Sequence, residues 1–138
     1  MRLAERGDAE IVSADSRQVY RGMDIATAKP TAEEQRRVPH HIIDVVDPGE
    51  RYDVSRYQRE GRAALAAIAA RGATAIVVGG TGLYVRALLD GLDLEALPRD
   101  ESVRAALERD AEREGGAATH RRLATLDPGA AATVDARN

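Results

Sequence analysis

Four consecutive polar residues, Asp15-Ser16-Arg17-Gln18, follow a short β-prone run, Glu10-Ile11-Val12-Ser13, and precede the apolar pair Val19-Tyr20. A strand that ends this way presents a carboxylate at the edge of a sheet. Ligands of open α/β sheets bind outside the carboxyl ends of the strands, so an Asp just past a strand stands where chemistry usually happens. An aspartate, with a pKa of about 4, is ionised at neutral pH and can accept a proton or hold an N–H toward an electrophile. Ser16, Arg17 and Gln18 add a hydroxyl, a guanidinium and an amide, the groups that read base edges and phosphates of extruded nucleotides. The same residues would serve equally as a solvated turn with Asp15 as its cap.

A second stretch with chemical potential is Gly79-Gly80-Thr81-Gly82. It lies between an apolar run, Thr74 to Val78, and a helical pattern reaching about Leu89, so its backbone N–H groups and the helix dipole favour an anion. A diphosphate would fit there, with the Thr81 hydroxyl as a directional donor. A strand-to-helix turn also needs glycine for geometry alone. His40 and His41 are adjacent and would point to opposite faces of a strand, which suits hydrogen bonding better than shared ligation of a metal. With no Cys and only His120 besides, no zinc site is expected. Lys29 reads as an exposed loop lysine, with a phosphate contact as the alternative.

The elements that must position these residues follow from pattern. Met1 to Arg6 resembles the end of a helix, with Gly7 where a C-cap would stand. Tyr20 to Pro39 holds Gly22, Pro30 and Pro39 and reads as a long loop with one helical turn at Ala32 to Arg37. His41 to Val46 reads as a short buried strand. Asp53 is placed to cap a helix over Val54 to Arg71, whose apolar face is Val54, Tyr57, Ala64, Leu65 and Ile68, and Gly72 ends it. Thr74 to Val78 is expected to be the clearest buried strand.

From Pro98 the pattern is helical and charged: Asp100 to Glu114, then Ala117 to Leu126 and Gly129 to Val134, split by Asp127-Pro128. Strands and helices alternate up to about Asp90 and helices alone follow. The expected architecture is therefore an α/β core over residues 1–98 carrying the start of a helical appendage over 99–138.

Composition bounds the remaining possibilities. A chain of 138 residues holds one domain with a real core, or part of a larger one. With no Phe, Trp or Cys, the core must be built from aliphatic residues, alanine and four Tyr, which predicts modest stability and excludes a disulfide framework. No apolar run approaches the roughly 20 residues of a membrane helix, and the start lacks the apolar centre of a signal peptide, so a cytoplasmic protein is expected. The net charge of −3 argues against a broad basic surface for nucleic acid, and any RNA contact must be local.

Three separated motifs occur in order: Ser13 to Pro30 (S-A-D-S-R-Q-V-Y-R-G-M-D-I-A-T-A-K-P), Pro39-His40-His41-Ile42-Ile43-Asp44, and Gly79-Gly80-Thr81-Gly82-Leu83-Tyr84. Together they closely resemble the tRNA dimethylallyltransferases, the enzymes that prenylate an adenosine beside the anticodon. The resemblance, with the connecting elements, covers nearly the whole chain. It implies a P-loop NTPase-like parallel sheet, incomplete here, with a helical insertion. It implies transfer of a dimethylallyl group from dimethylallyl diphosphate to an adenine amine in the anticodon stem-loop of tRNA, releasing diphosphate.

In that reading Asp15 is the general base, since an exocyclic amine is a poor nucleophile until its proton is removed. Asp15 to Gln18 touch the tRNA, Thr81 orients the reacting groups among Gly79, Gly80 and Gly82, and Arg104, in the context Val103-Arg104-Ala105, reaches the leaving diphosphate. The family's magnesium would bridge diphosphate oxygens. Its phosphate loop, G-x-x-x-x-G-K-S/T, is not present in this sequence and the resemblance puts it upstream of Met1. The chain therefore reads as a monomeric fragment, cut at both ends and inactive or nearly so as written. Two alternatives stand beside this: an adenylate isopentenyltransferase-like enzyme acting on free nucleotides, and a non-catalytic RNA- or nucleotide-binding remnant.

Overall fold

The computed structural model describes residues 2–92, 94 and 100–136, and the chain divides into two compact units, Met1–Ala96 and Leu97–Asn138. The expected boundary at 98/99 lies outside the described residues, as do Met1 and Asn138.

The first unit is built on a parallel sheet of three strands: β1 (Ala9–Ser13), β2 (His40–His41) and β3 (Thr74–Val78), in the order β2-β1-β3. The central strand alternates its faces. Val12, with Ala14 just beyond the strand, joins the main core, while Ile11 joins a smaller cluster with Ala4 and Val38. The register pairs Ile11 with His40 and Val12 with His41 on one side, and runs from Ala9 opposite Thr74 to Ser13 opposite Val78 on the other. This brings the carboxyl ends of β1 and β3 level, so Asp15 and the glycine turn are neighbours.

Parallel strands need crossovers, and these carry α1 (Ala32–Arg37) and α2 (Val54–Ala70). Helix α1 starts in a capping box in which Thr31 and Glu34 satisfy each other's backbone N–H. Helix α2 is capped by Asp53, whose Oδ1 accepts from the Arg56 N–H at 2.9 Å. Its buried face meets α3 (Gly82–Leu89) at Gly61, where a Cβ would lie 2.7 Å from Leu88 Cδ2. Tyrosines do the work of the absent Phe and Trp. The Tyr57 ring stacks on Tyr84 with centroids 4.0 Å apart, and Tyr52 meets Tyr84 edge-on at 6.4 Å. The Tyr57 hydroxyl is buried without a hydrogen-bond partner among the described residues.

Three expectations are corrected. The strand foreseen over His41 to Val46 is only His40–His41: beyond it the backbone turns left-handed at Ile42 and Asp44 (φ 61° and 55°). The cause is long-range, because the N–H groups of Asp44, Val45 and Val46 donate back to the carbonyls of Gln18 and Val19 at 2.9–3.1 Å. Strand β3 is half-exposed rather than buried, because it forms an edge of this sheet, with Thr74 and Val78 exposed at its ends. The leading helix is a single 3₁₀ turn, Ala4–Arg6, and Gly7 follows it extended rather than left-handed.

The second unit holds α4 (Glu101–Glu114), α5 (Gly116–Leu126) and α6 (Pro128–Thr133). Asp100 caps α4 and Asp127 caps α6 through side-chain oxygens, and Gly115 takes the left-handed turn between α4 and α5 (φ 82°). His120 Nε2 lies 3.1 Å and 2.9 Å from the carbonyls of Ala131 and Val134, so it must be the protonated nitrogen that ties α5 to the end of α6. Among the described residues no helix is long and apolar enough to cross a membrane.

Candidate active site

Strand β1 delivers Ala14 into a backbone clasp. The Ala14 N–H donates to Val78 O at 2.7 Å, and Ala14 O accepts from the Thr81 N–H at 3.0 Å. A Cβ at Gly79 would lie 2.2 Å from both the carbonyl carbon and oxygen of Ala14. Backbone cannot yield as a side-chain tip can, so position 79 must be glycine for this approach. The glycine turn is therefore explained first by how closely two strand ends meet.

Asp15 leaves the clasp into a turn of its own making. Its Oδ1 accepts from the N–H groups of Arg17 at 2.8 Å and Gln18 at 3.3 Å, an Asx turn. Oδ2 has no protein partner among the described residues. Ser16 N–H donates to Thr81 Oγ1 at 2.9 Å, so residues on both sides of Asp15 are bonded to Thr81. Thr81 stands at the N-cap of α3 but makes no side-chain cap bond there. Its hydroxyl proton is left to donate elsewhere, and the amides of Gly80, Gly82 and Leu83 have no protein acceptor among the described residues. The arrangement offers one free carboxylate oxygen, one free hydroxyl proton and a cluster of N–H donors at a helix N-terminus. Tyr84 lies beside it: burial, then the neighbouring Tyr20, Asp53 and Asp15, hold its phenol above the ordinary tyrosine range.

The other residues singled out from sequence fall in different places. The Arg17 side chain is exposed beside the turn. Gln18 is turned inward: its Oε1 accepts from Ser13 Oγ at 3.0 Å, and its Nε2 donates to the carbonyls of Thr27 and Ala28 at 3.1 Å each. Both amide hydrogens are committed within the protein. Arg104 belongs to the helical unit, exposed on α4, where its Nε donates to Glu108 Oε1 one turn on at 3.0 Å. His41 Nε2 donates to Glu10 Oε2 at 2.6 Å and His40 Nδ1 to Val38 O at 2.7 Å, hydrogen-bonding roles as read from their adjacency.

Lys29 corrects the sequence reading. Its side chain is only 4% exposed and is paired with Asp24 and Asp44. Burial pulls its pKa down, but hydrogen bonds to these two carboxylates outweigh it and leave the ammonium above the ordinary lysine value. Asp24, Asp44 and Ser13 were not foreseen. The one available signal was that Lys29 is the sole lysine in an arginine-rich chain.

A cavity of about 300 Å³ opens on the Ile11 and Ser13 face of the sheet, also lined by Gln18, Lys29, Glu34 and His40. Asp15 and Thr81 do not line it. No group of three or more His, Cys, Asp or Glu among the described residues is placed to hold a metal ion. The magnesium implied by resemblance would therefore take its oxygen ligands chiefly from the diphosphate.

Comparison with known proteins identifies relatives of this chain in sequence and in fold. Residues 18–138 match the family described as IPP transferase. The chain is 58% identical over 132 residues to a tRNA dimethylallyltransferase of Anaeromyxobacter sp. (strain K), covering 96% of this chain and 43% of that protein. It is 53% identical over 138 residues to one from Roseiflexus sp. (strain RS-1), covering 45% of it. Among solved structures, the full-length tRNA isopentenylpyrophosphate transferase of Bacillus halodurans superposes with TM-score 0.66 at 44% identity, covering 99% of this chain and 45% of that one. A eukaryotic dimethylallyltransferase acting on tRNA superposes with TM-score 0.75 at 29% identity, over 99% and 34%. The chain spans less than half the length of these relatives. The match over residues 18–138, the identity to these relatives and the superpositions show that the chain belongs to the IPP transferase family, homologous to the tRNA dimethylallyltransferases.

Proposed function

We propose that this chain carries the acceptor side of a prenyl-transfer site acting on an adenosine beside the tRNA anticodon. The observation that carries the proposal is the clasp itself: Ser16 N–H on Thr81 Oγ1 and Thr81 N–H on Ala14 O hold a carboxylate with one free oxygen beside a hydroxyl with a free proton. The exocyclic amine of adenine attacks C1 of the dimethylallyl group, the C1–O bond to diphosphate breaks, and the amine proton passes to Asp15 Oδ2. Diphosphate leaves with the bonding pair. The Thr81 hydroxyl and the amides of the glycine turn donate to its oxygens as charge develops, where such donors act most strongly. Ser16 and Arg17 face the RNA, while Gln18 supports the turn from inside. Magnesium would come with the diphosphate, and the protein would work in the cytoplasm as a monomer.

The sequence holds no G-x-x-x-x-G-K-S/T motif, so turnover by this chain alone is expected to be low or nil. The test is a prenyl-transfer assay on an anticodon stem-loop RNA, read by product mass, with this chain alone and extended to the length of its relatives. Product from the extended form that disappears on Asp15→Ala supports the reading. Product on free AMP but not on RNA would move the acceptor to nucleotides, and RNA binding without product from a folded extended form would leave only a binding module.

A further inference from the structure

Lys29 Nζ donates to three oxygens: the Tyr20 carbonyl at 2.7 Å, Asp24 Oδ1 at 2.7 Å and Asp44 Oδ1 at 2.6 Å. An ammonium has three N–H donors, so all are used. Tyr20 and Asp24 lie on the loop that follows the Asp15 turn, and Asp44 on the segment that follows β2. Both stretches hold non-glycine residues in the left-handed region: Ala26 and Ala28 (φ 59° and 51°), and Ile42 and Asp44 (φ 61° and 55°). Each such residue is strained and persists only where the surroundings over-determine it.

Two short paths lead from Lys29 to the site. Through Asp44, the Asp44 N–H donates to Gln18 O at 3.1 Å. Through the preceding residues, the carbonyls of Thr27 and Ala28 accept both hydrogens of the Gln18 amide. The Gln18 N–H then donates to Asp15 Oδ1 at 3.3 Å. Gln18 is held from two sides by segments that Lys29 joins.

We propose that Lys29 is a positioning residue: its buried ammonium binds the two left-handed segments together around Gln18 and so fixes the turn that carries Asp15. This deepens the reading of Asp15 as proton acceptor and rests on it. The proposal also accounts for the sole lysine among 20 basic residues. Three oxygens converging on one point suit a compact ammonium, whereas the planar fork of arginine spreads its donors and cannot meet them together.

Amide hydrogen exchange on the isotopically labelled chain tests this, with Lys29→Met, Lys29→Arg and the shape-preserving Asp44→Asn. Both Lys29 variants should lose more than about tenfold in protection at the Arg17 and Gln18 amides while Tyr57 to Ile68 in α2 keep theirs, and Asp44→Asn should lose less at the same sites. In the extended form, Lys29→Arg should lower kcat about tenfold or more at unchanged KM for the stem-loop. Unchanged protection at Arg17 and Gln18, or full rescue by arginine, would overturn the proposal. Equal loss throughout α2 in Lys29→Met would also overturn it unless Asp44→Asn gives the local pattern alone. Absence of prenyl transfer by the wild-type extended chain would sink the enzyme reading, while the exchange pattern would still decide whether Lys29 holds the turn.

Discussion

The turns at Asp15 and Asp100 use the same local device and come to different ends. Asp100 Oδ1 accepts from the N–H groups two and three residues on, Ser102 and Val103 at 2.9 and 3.1 Å, as Asp15 Oδ1 does from Arg17 and Gln18. After Asp100 the chain continues into α4 and the cap is the whole story: an exposed carboxylate that starts a helix. After Asp15 no helix follows. The turn is instead tied to Thr81 across 65 residues of sequence and, through Gln18, to the Lys29 and Asp44 segments. A capping carboxylate becomes a candidate base when distant parts of the fold hold it still and leave one of its oxygens free.

The largest difference between the two turns is expected at glycine. Gly79→Ala should destabilise by about 4 kcal/mol or more, read by urea unfolding, because its Cβ meets Ala14 backbone at 2.2 Å. Gly116→Ala, whose Cβ would meet Ala136 O at an ordinary 3.5 Å at the start of α5, should be neutral or stabilising by up to about 1 kcal/mol. Equal effects would mean that the strand ends are not clasped as described.

A smaller effect separates the two partners of the turns. Thr81→Val removes the acceptor of the Ser16 N–H and should cost about 1–2 kcal/mol, with transfer activity in the extended form falling far more than stability accounts for. Asp100→Ala should cost about 1 kcal/mol through the lost cap and leave activity per folded molecule unchanged. Paired denaturation and rate measurements check both.

The smallest effect concerns the opposite end of β1. Hydrogen bonds from Arg71, then His41, hold the Glu10 carboxyl below its ordinary value of 4.5. A depressed carboxylate contributes stability above its unfolded pKa and loses it as pH falls through the folded one. The stability gap between wild type and Glu10→Gln should therefore close progressively as pH falls below 4.5. A gap that widens on acidification would contradict the assigned pairing.

What sequence revealed and what it hid divide along the same line as the two aspartate turns. Helices α1, α2, α4, α5 and α6 were legible because the Asp53 cap, the helical charge pattern from Asp100 and the Asp127-Pro128 break act within a few residues of themselves. The Asp15 turn and the glycine turn were legible for the same reason. The left-handed course of Ile42 and Asp44 was not, because bonds to Gln18 and Val19 impose it on a stretch whose own pattern reads as strand. Lys29 was misread because its partners, Asp24 and Asp44, come together only in the fold. The inward turn of Gln18 depends on Ser13 and on carbonyls nine and ten residues on, which no local pattern announces. The exposure of β3 is a property of strand order, invisible in five apolar-rich residues.

The role of Asp15 is decided by the transfer rate of Asp15→Asn in the extended form, measured beside Asp100→Asn by product mass on the stem-loop RNA. Asparagine keeps the oxygen that caps the turn but cannot take a proton. A folded protein that binds RNA as before and makes product at least about a hundredfold more slowly is expected, while Asp100→Asn is unaffected. An Asp15→Asn enzyme that transfers at the wild-type rate would show that Asp15, like Asp100, is only a cap.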